Sequence, residues 1–202
     1  MCFCKKNGFT LIELMIVLAV IAVLAAVIGA FAGRSIAMAY RLQCTSNLRQ
    51  LGMATLMYLR DNDCYPPAWQ NSSCRWMDLV KPYLAGGTKS SAFLCPCDQT
   101  RTKVKWDDEI TMSYGINAFN FGGTTHCFWY SVTTENVKRP SQTILLADCL
   151  PGLYYCGGSS RFSEPVKYVE YRHVGRTFCA AYCDGHAEIK KTTVKRDWDA
   201  SQ

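Results

Sequence analysis

Hydrophobic positions fall into three regimes along the chain. From Leu14 to Phe31 eighteen consecutive residues carry no charge. As a helix at roughly 1.5 Å per residue they span about 27 Å, close to a hydrocarbon core of roughly 30 Å. Phe9 to Ile12 extend the run by a turn, and one carboxylate, Glu13, interrupts it near its start. Beyond Phe31 the pattern turns amphipathic. Ile36, Tyr40, Cys44, Leu48, Leu51, Thr55 and Tyr58 recur at helical spacing, with Arg41, Arg49 and Arg60 largely off that stripe. No proline precedes Pro66, so the spacing predicts one helix to about Arg60, about 78 Å long at roughly 1.5 Å per residue. Two helices broken near Gly29–Gly33 are the alternative, since each glycine costs about 1 kcal/mol against alanine.

The third regime is short and broken. Asp61-Asn62-Asp63 ends the helix, and Tyr65-Pro66-Pro67 opens an irregular region to about Glu109. Within it Trp76 to Leu84 reads as a short helix with Trp76, Leu79, Val80 and Tyr83 on one face, stopped by Gly86-Gly87. Thr111–Ala118, Phe128–Thr133, Thr143–Ala147 and Thr177–Cys183 are rich in β-branched and aromatic residues and read as strands. Asp184-Gly185 reads as a tight turn into His186–Lys190. The fold class is α+β: a long N-terminal helix packed on an antiparallel sheet. Four parts follow: a leader at 1–8, a membrane half of the helix at 9–31, an exported amphipathic half at 32–60, and an extracytoplasmic domain at 61–202.

Glu13 needs a partner, because an ionisable group at membrane depth costs about 2.5–3.5 kcal/mol on insertion scales. A cut between Gly8 and Phe9 would create one, a new α-amine able to meet Glu13 of a neighbouring subunit. Lys5-Lys6-Asn7-Gly8 followed by Phe9-Thr10-Leu11-Ile12-Glu13 resembles the prepilin signal of type IV pilins and type II secretion pseudopilins. The resemblance implies cleavage after Gly8 by a prepilin peptidase, N-methylation of Phe9, and an assembly role for Glu13. A secretory signal peptide is the rival, since Ala30-Phe31-Ala32 fits small-x-small, but the apolar run exceeds the usual length of about 7–15 residues.

Later landmarks are similar to one pilin-like group with a C-terminal signature of histidine, nine residues and Asp-Gly. They are Asn47–Gly52, Phe93–Pro96, Ser113–Asn117, Arg139-Pro140-Ser141, and Arg172-His173 ahead of Asp184-Gly185-His186. Here His173 and Asp184 are separated by ten residues rather than nine, and in a hairpin one added residue flips faces unless a bulge absorbs it. The signature residues are thus His173, Asp184 and Gly185, with their mutual contact an open question.

Charge and cysteines refine the picture. The formal charge is +6 over 202 residues, and loss of Lys5 and Lys6 leaves +4, too mild to imply nucleic acid. Of twelve cysteines, Cys2 and Cys4 lie in the leader. The others are Cys44, Cys64, Cys74, Cys95, Cys97, Cys127, Cys149, Cys156, Cys179 and Cys183. An even, high count behind a membrane helix reads as a disulfide brace in an oxidising compartment. Cys44 is expected to tie the helix to Cys95-Pro96-Cys97, and Cys149 to meet Cys156 across the loop Gly152–Ser163. Zinc is the alternative, but no pair of C-x2-C knuckles is present, and Cys179 and Cys183 lie roughly 13 Å apart on a strand.

Three histidines with nearby acids permit a Cys–His pair on paper, with Asp148 and Asp184 in reach of His173 and His186. Cysteines held in disulfides are not nucleophiles, however, and no enzyme is expected. No cofactor is expected either, a structural Ca²⁺ site being the one allowance, and no acidic loop stands out for it. The sequence therefore reads as a fibre subunit of a type II secretion-like machine. Its partners would be copies of itself, other pilin-like subunits, a prepilin peptidase, inner-membrane assembly machinery and membrane lipid. Its N-terminus would be cytoplasmic and its domain periplasmic or in an extracellular fibre. A monomeric surface-binding module for a glycan or protein, presenting Gly152–Ser163, is the alternative.

Overall fold

The structure is a computed structural model that describes residues 9–71, 74–87, 91–104, 111–119, 126–156 and 168–201. One helix, α1 (Leu11–Asn62), runs unbroken through Gly29 and Gly33. Neither glycine has a neighbour within 4 Å of a built Cβ, so the intact helix rests on the favourable residues around them. The chain divides into two units, one ending at Met38 and one beginning at Ala39.

In the first unit the apolar side chains face outward. Phe9, Leu11, Ile16, Leu24, Ile28 and Phe31 are all exposed. By length and composition the helix suffices to cross a membrane. Its start is capped by a reciprocal pair. The Thr10 hydroxyl accepts from the Glu13 amide at 3.3 Å, and the Glu13 carboxylate accepts from the Thr10 amide at 2.8 Å. This is a capping box, in which two otherwise orphaned amides are satisfied at once.

The second unit is built on a five-stranded sheet. Its members are β4 (Tyr114–Asn117), β6 (Ile144–Asp148), β7 (Tyr155–Cys156), β8 (Phe178–Tyr182) and β9 (Ala187–Lys190), in the order β7-β4-β6-β8-β9. Most pairs are antiparallel, but β7 runs parallel to β4, so the sheet is mixed rather than antiparallel as expected. The close approach is possible because Gly115 has no side chain: a Cβ there would lie 2.6 Å from the Tyr155 carbonyl carbon. Two small pairs complete the set, β1 (Cys64–Tyr65) with β5 (Val132–Thr133) and β2 (Trp69–Asn71) with β3 (Cys74–Arg75). The short helix α2 (Trp76–Val80) follows β3.

Strand β8 is buried on both faces, and its alternation sorts the core. Cys179 and Ala181 join Leu48 and Leu51 of α1 in one cluster, while Phe178, Ala180 and Tyr182 join Trp198 in another. In β6 a register shift between Ile144 and Leu146 lets Leu145 and Leu146 share the α1-side cluster. The buried stripe of α1 starts at Cys44, because Ile36 and Tyr40 are exposed, which shortens the stripe read from periodicity. The strand expected over Phe128–Thr133 reduces to Val132–Thr133. Phe128 instead sits in a turn and packs edge-on against Tyr65 at 5.4 Å.

Helix and hairpin meet at two glycines. A Cβ on Gly52 would lie 3.4 Å from the Gly185 carbonyl, and one on Gly185 would lie 2.7 Å from Leu56 Cδ1. Gly185 also has φ +89°, a region that penalises any L side chain. Gly185→Ala should therefore lower stability by about 1–3 kcal/mol through overpacking and strain. Urea titration of the detergent-solubilised chain checks this, and an unchanged midpoint would show that the turn can move away from α1.

Candidate functional site

Two places concentrate chemistry. The first is the N-terminal segment. Glu13 lies in the first turn of α1, where a negative charge complements the helix dipole. Both bonds from Thr10, amide and hydroxyl, fall on Oε2 at 2.8 Å, and Oε1 has no hydrogen-bond partner among the described residues. Phe9 is exposed. Gly8 and the leader lie outside the described residues, as do the residues of the Gly152–Ser163 loop beyond Cys156.

The second place is a buried polar knot in the second unit. Asp148 ends β6 and is wholly buried. Where the β6–β8 ladder stops, its Oδ2 accepts the Cys179 amide at 2.7 Å and lies 3.1 Å from His173 Nε2. Its Oδ1 faces the Cys44 thiol at 3.5 Å and the Arg172 guanidinium at 3.7 Å. Arg172 reaches Asp98 at 2.9 Å and donates to the Cys149 carbonyl. A buried carboxylate persists only with such partners.

Around His173 four sulphurs gather from three distant segments. Cys44 comes from α1, Cys95 and Cys97 from the turn after Phe93, and Cys179 from β8. Cys95 Sγ is 3.7 Å from His173 Nε2, and Cys44 Sγ is 3.0 Å from the Tyr114 hydroxyl. Cys44 interacts with both Cys95 and Cys179. Ligand atoms of Cys44, Asp148, His173 and Cys179 all lie within 4.8 Å of one another, and so do those of Cys95, Cys97 and His173. These sulphur- and imidazole-rich groups can hold a metal of the zinc type, while the all-oxygen set that calcium prefers is not what they offer.

The electrostatics follow from this packing. Burial pushes the Cys44 thiol far up. Hydrogen bonding from Cys44, helped by His173, draws the Cys95 and Cys179 thiols down to about 6 against their burial. Burial opposes protonation of His173, but Asp148 and the two thiols outweigh it and raise it to about 12. A Cys–His pair thus exists, yet Cys44, Cys95, Cys179 and His173 are each at most 4 % exposed, which denies a substrate access.

The expected site residues divide accordingly. His173 pairs with Asp148, while Asp184 pairs with His186 at 2.6 Å in the exposed β8–β9 turn. The signature histidine and aspartate thus serve different neighbours, and Gly185 serves the turn. The ten cysteines from Cys44 to Cys183 stand as free cysteines in this structure. The expected tie of Cys44 to Cys95 is found as a contact of thiols within a larger cluster. Cys149 and Cys156 do lie side by side. Cys74 donates to Gln70 at 3.3 Å and Cys127 to the Ala118 carbonyl at 3.9 Å. Cys64 sits in β1, and Cys183 is buried beside Tyr65, whose hydroxyl donates to its carbonyl.

Asp98 gives the knot an acid-sensitive edge. Burial resists its ionisation, but the Thr100 and Ser113 hydroxyls and Arg172 prevail and hold it at about 2, below 3.8. The stability this adds is complete above the unfolded value and is lost as pH falls through about 2. Asp98→Asn should therefore weaken the fold at neutral pH and flatten its acid sensitivity between pH 3.8 and about 2. Urea midpoints measured against pH test this. Parallel profiles for the two proteins would show that Asp98 does not set the slope.

Comparison with known proteins bears on the N-terminal segment. Residues 4–29 match a family model described as the prokaryotic N-terminal methylation motif. Residues 37–87 match one described as a protein of unknown function, DUF1559. No curated protein matches the chain, and no solved structure does. The chain carries a prepilin-type methylation motif ahead of a DUF1559-like segment, which points to a pilin-like structural precursor with a membrane anchor and not to an enzyme.

Proposed function

We propose that this chain is a subunit of a membrane-based pilus or pseudopilus fibre serving a type II secretion-like system. A prepilin peptidase cuts it after Gly8 and Phe9 is methylated. The N-terminus starts in the cytoplasm, the helix crosses the inner membrane, and the second unit projects into the periplasm or the fibre. Assembly machinery in the inner membrane then adds it to copies of itself or to other pilin-like subunits. The observation that carries this reading is the pairing of a methylation motif with an exposed apolar helix whose one carboxylate sits at its first turn.

Physical reasoning gives Glu13 its role. The amine of Phe9 on an incoming subunit is a cation in a low-dielectric setting, and a carboxylate there decides whether the neighbour enters in register. Burial of apolar helix surface between subunits supplies the bulk attraction, which is directionless. Because Glu13 also caps its own helix, two substitutions separate the roles. Glu13→Gln keeps a capping-box acceptor and removes the charge, whereas Glu13→Leu removes both. Co-purification of two differently tagged copies from membranes should fall for both variants to a similar, low level, while cleavage after Gly8 continues. If Glu13→Gln assembles like the parent, the cap and not the charge pair is what assembly requires.

Processing is tested separately. Gly8→Asp should leave the leader attached, because the peptidase must seat a small residue beside the cut, while the intact apolar run still delivers the chain to the membrane. Mass spectrometry of the N-terminus reads the result. Methylated Phe9 in the parent supports the assignment, and a parent chain beginning at Gly33 would mean a secreted soluble domain instead.

A further inference from the structure

We propose that Cys44, Cys95, Cys179 and His173 form a structural Zn²⁺ site that pins α1 to the sheet, with the Asp148 carboxylate at its edge. This is independent of fibre assembly and would hold for any role of the second unit.

Geometry comes first. In a tetrahedral zinc site with Zn–S of about 2.3 Å, neighbouring sulphurs stand roughly 3.8 Å apart. Cys44, Cys179 and His173 have their ligand atoms within 4.8 Å of one another, Cys95 Sγ is 3.7 Å from His173 Nε2, and Cys44 interacts with Cys95. The four residues come from three well-separated parts of the chain: α1, the segment after Phe93, and the stretch from His173 into β8. All four are buried, as a closed structural site requires.

A bland account treats the cysteines as small hydrophobes filling a core. That suits Cys183, which packs beside Tyr65. It does not suit three thiols converging on an imidazole, a carboxylate and a tyrosine hydroxyl, where the surroundings are polar. A disulfide is the other account. Joining Cys44 to either Cys95 or Cys179 leaves the third thiol and His173 without a task. A metal uses all four.

The supporting groups fit as well. His173 Nδ1 is buried with no hydrogen-bond partner among the described residues. His173 Nε2 is the nitrogen turned toward the sulphurs, and the Asp148 carboxylate at 3.1 Å faces that same nitrogen, so a metal held by Nε2 would take the place of this contact. Asp148 is held by the Cys179 amide and faces Arg172, which keeps its negative charge beside the cluster. Three thiolates and Asp148 bring negative charge against one divalent ion, and Arg172 with its own tie to Asp98 offsets part of it. Soft thiolates with one imidazole select zinc over calcium or magnesium. Binding would release a proton from each thiol that is not yet ionised.

The test uses the full-length mature chain, purified from membranes in mild detergent without chelator. Elemental analysis should find zinc equimolar with protein, and a mercurial that modifies the thiols should release it. Exchange with Co²⁺ should give the strong visible bands and sulphur-to-metal charge transfer of a tetrahedral thiolate site. Cys44→Ser, Cys95→Ser, Cys179→Ser and His173→Ala should each lose most of the zinc. Cys127→Ser should keep it, and Asp148→Asn should bind more weakly with the same stoichiometry. Should a ligand variant fail to fold, the parent protein still decides through its metal content and cobalt spectrum. The proposal is overturned if the parent stays metal-free after incubation with Zn²⁺ under reducing conditions. It is equally overturned if peptide mapping of the isolated chain finds Cys44 disulfide-bonded to Cys95 or Cys179.

Discussion

The carboxylate of Asp148 is the point on which the second unit depends. It is fully buried at the end of a central strand, where an unpaired charge would cost several kcal/mol. What offsets that cost defines the fold around it. The Cys179 amide ties it to β8, His173 and Arg172 tie it to the segment before β8, and Cys44 brings α1 within reach. Arg172 then passes the charge outward to Asp98, whose Oδ2 also accepts from Ser113 and whose Oδ1 accepts from Thr100. Removal of any member leaves another buried polar group unmatched, so this network behaves as a unit more than as a sum of pairs. Apolar packing gives the core its energy, and the knot gives it a single arrangement of helix, turn and strand.

Local signals in the sequence were sufficient where the structure is local. The long helix, its stop near Asn62, the short helix after Arg75 and the β8–β9 hairpin are each written in periodicity, proline and glycine over a few residues. What depends on distant partners was not legible. Cys44, Cys95 and Cys179 have no mutual spacing that a metal motif would show, because their meeting is a product of the fold. The parallel placement of β7 beside β4 depends on Gly115 lacking a side chain, and one glycine in a strand pattern does not announce a neighbour. Ile36 and Tyr40 continue the helical stripe in sequence but lie exposed, since periodicity records a face without saying where its cover ends. The Thr10-x-x-Glu13 capping box was legible in principle, as Thr followed three residues later by Glu ahead of an apolar run. Its expression was masked by the stronger signal of a charge inside a membrane segment.

A single helix here serves two solvents. Through Phe31 its surface is apolar on every side and exposed in the isolated chain, which is the composition lipid demands. From Cys44 onward only one face is buried, and polar residues such as Arg49 and Arg60 occupy the other. Backbone hydrogen bonding does not change across this boundary, because a helix satisfies its own amides in either medium. Only the side chains report the change of environment. That explains why no proline or break is needed between the two regimes, and why Gly29 and Gly33 are tolerated within a helix of 52 residues.

Glu13 resolves the conflict between carrying a charge and residing in an apolar segment. In the lone subunit its Oε2 accepts both the amide and the hydroxyl of Thr10, so the helix start lends it two donors and a favourable dipole. The carboxylate is thereby held at the helix start with two donors from its own subunit. Its second oxygen has no partner among the described residues, and an amine arriving there would add a bond without breaking the cap. Under the proposed assembly role, capping and pairing with an amine would be compatible at one residue. A hydrophobic residue at this position would suit an apolar segment but leave the Thr10 amide unpaired, so the carboxylate meets a backbone requirement that no apolar side chain can meet.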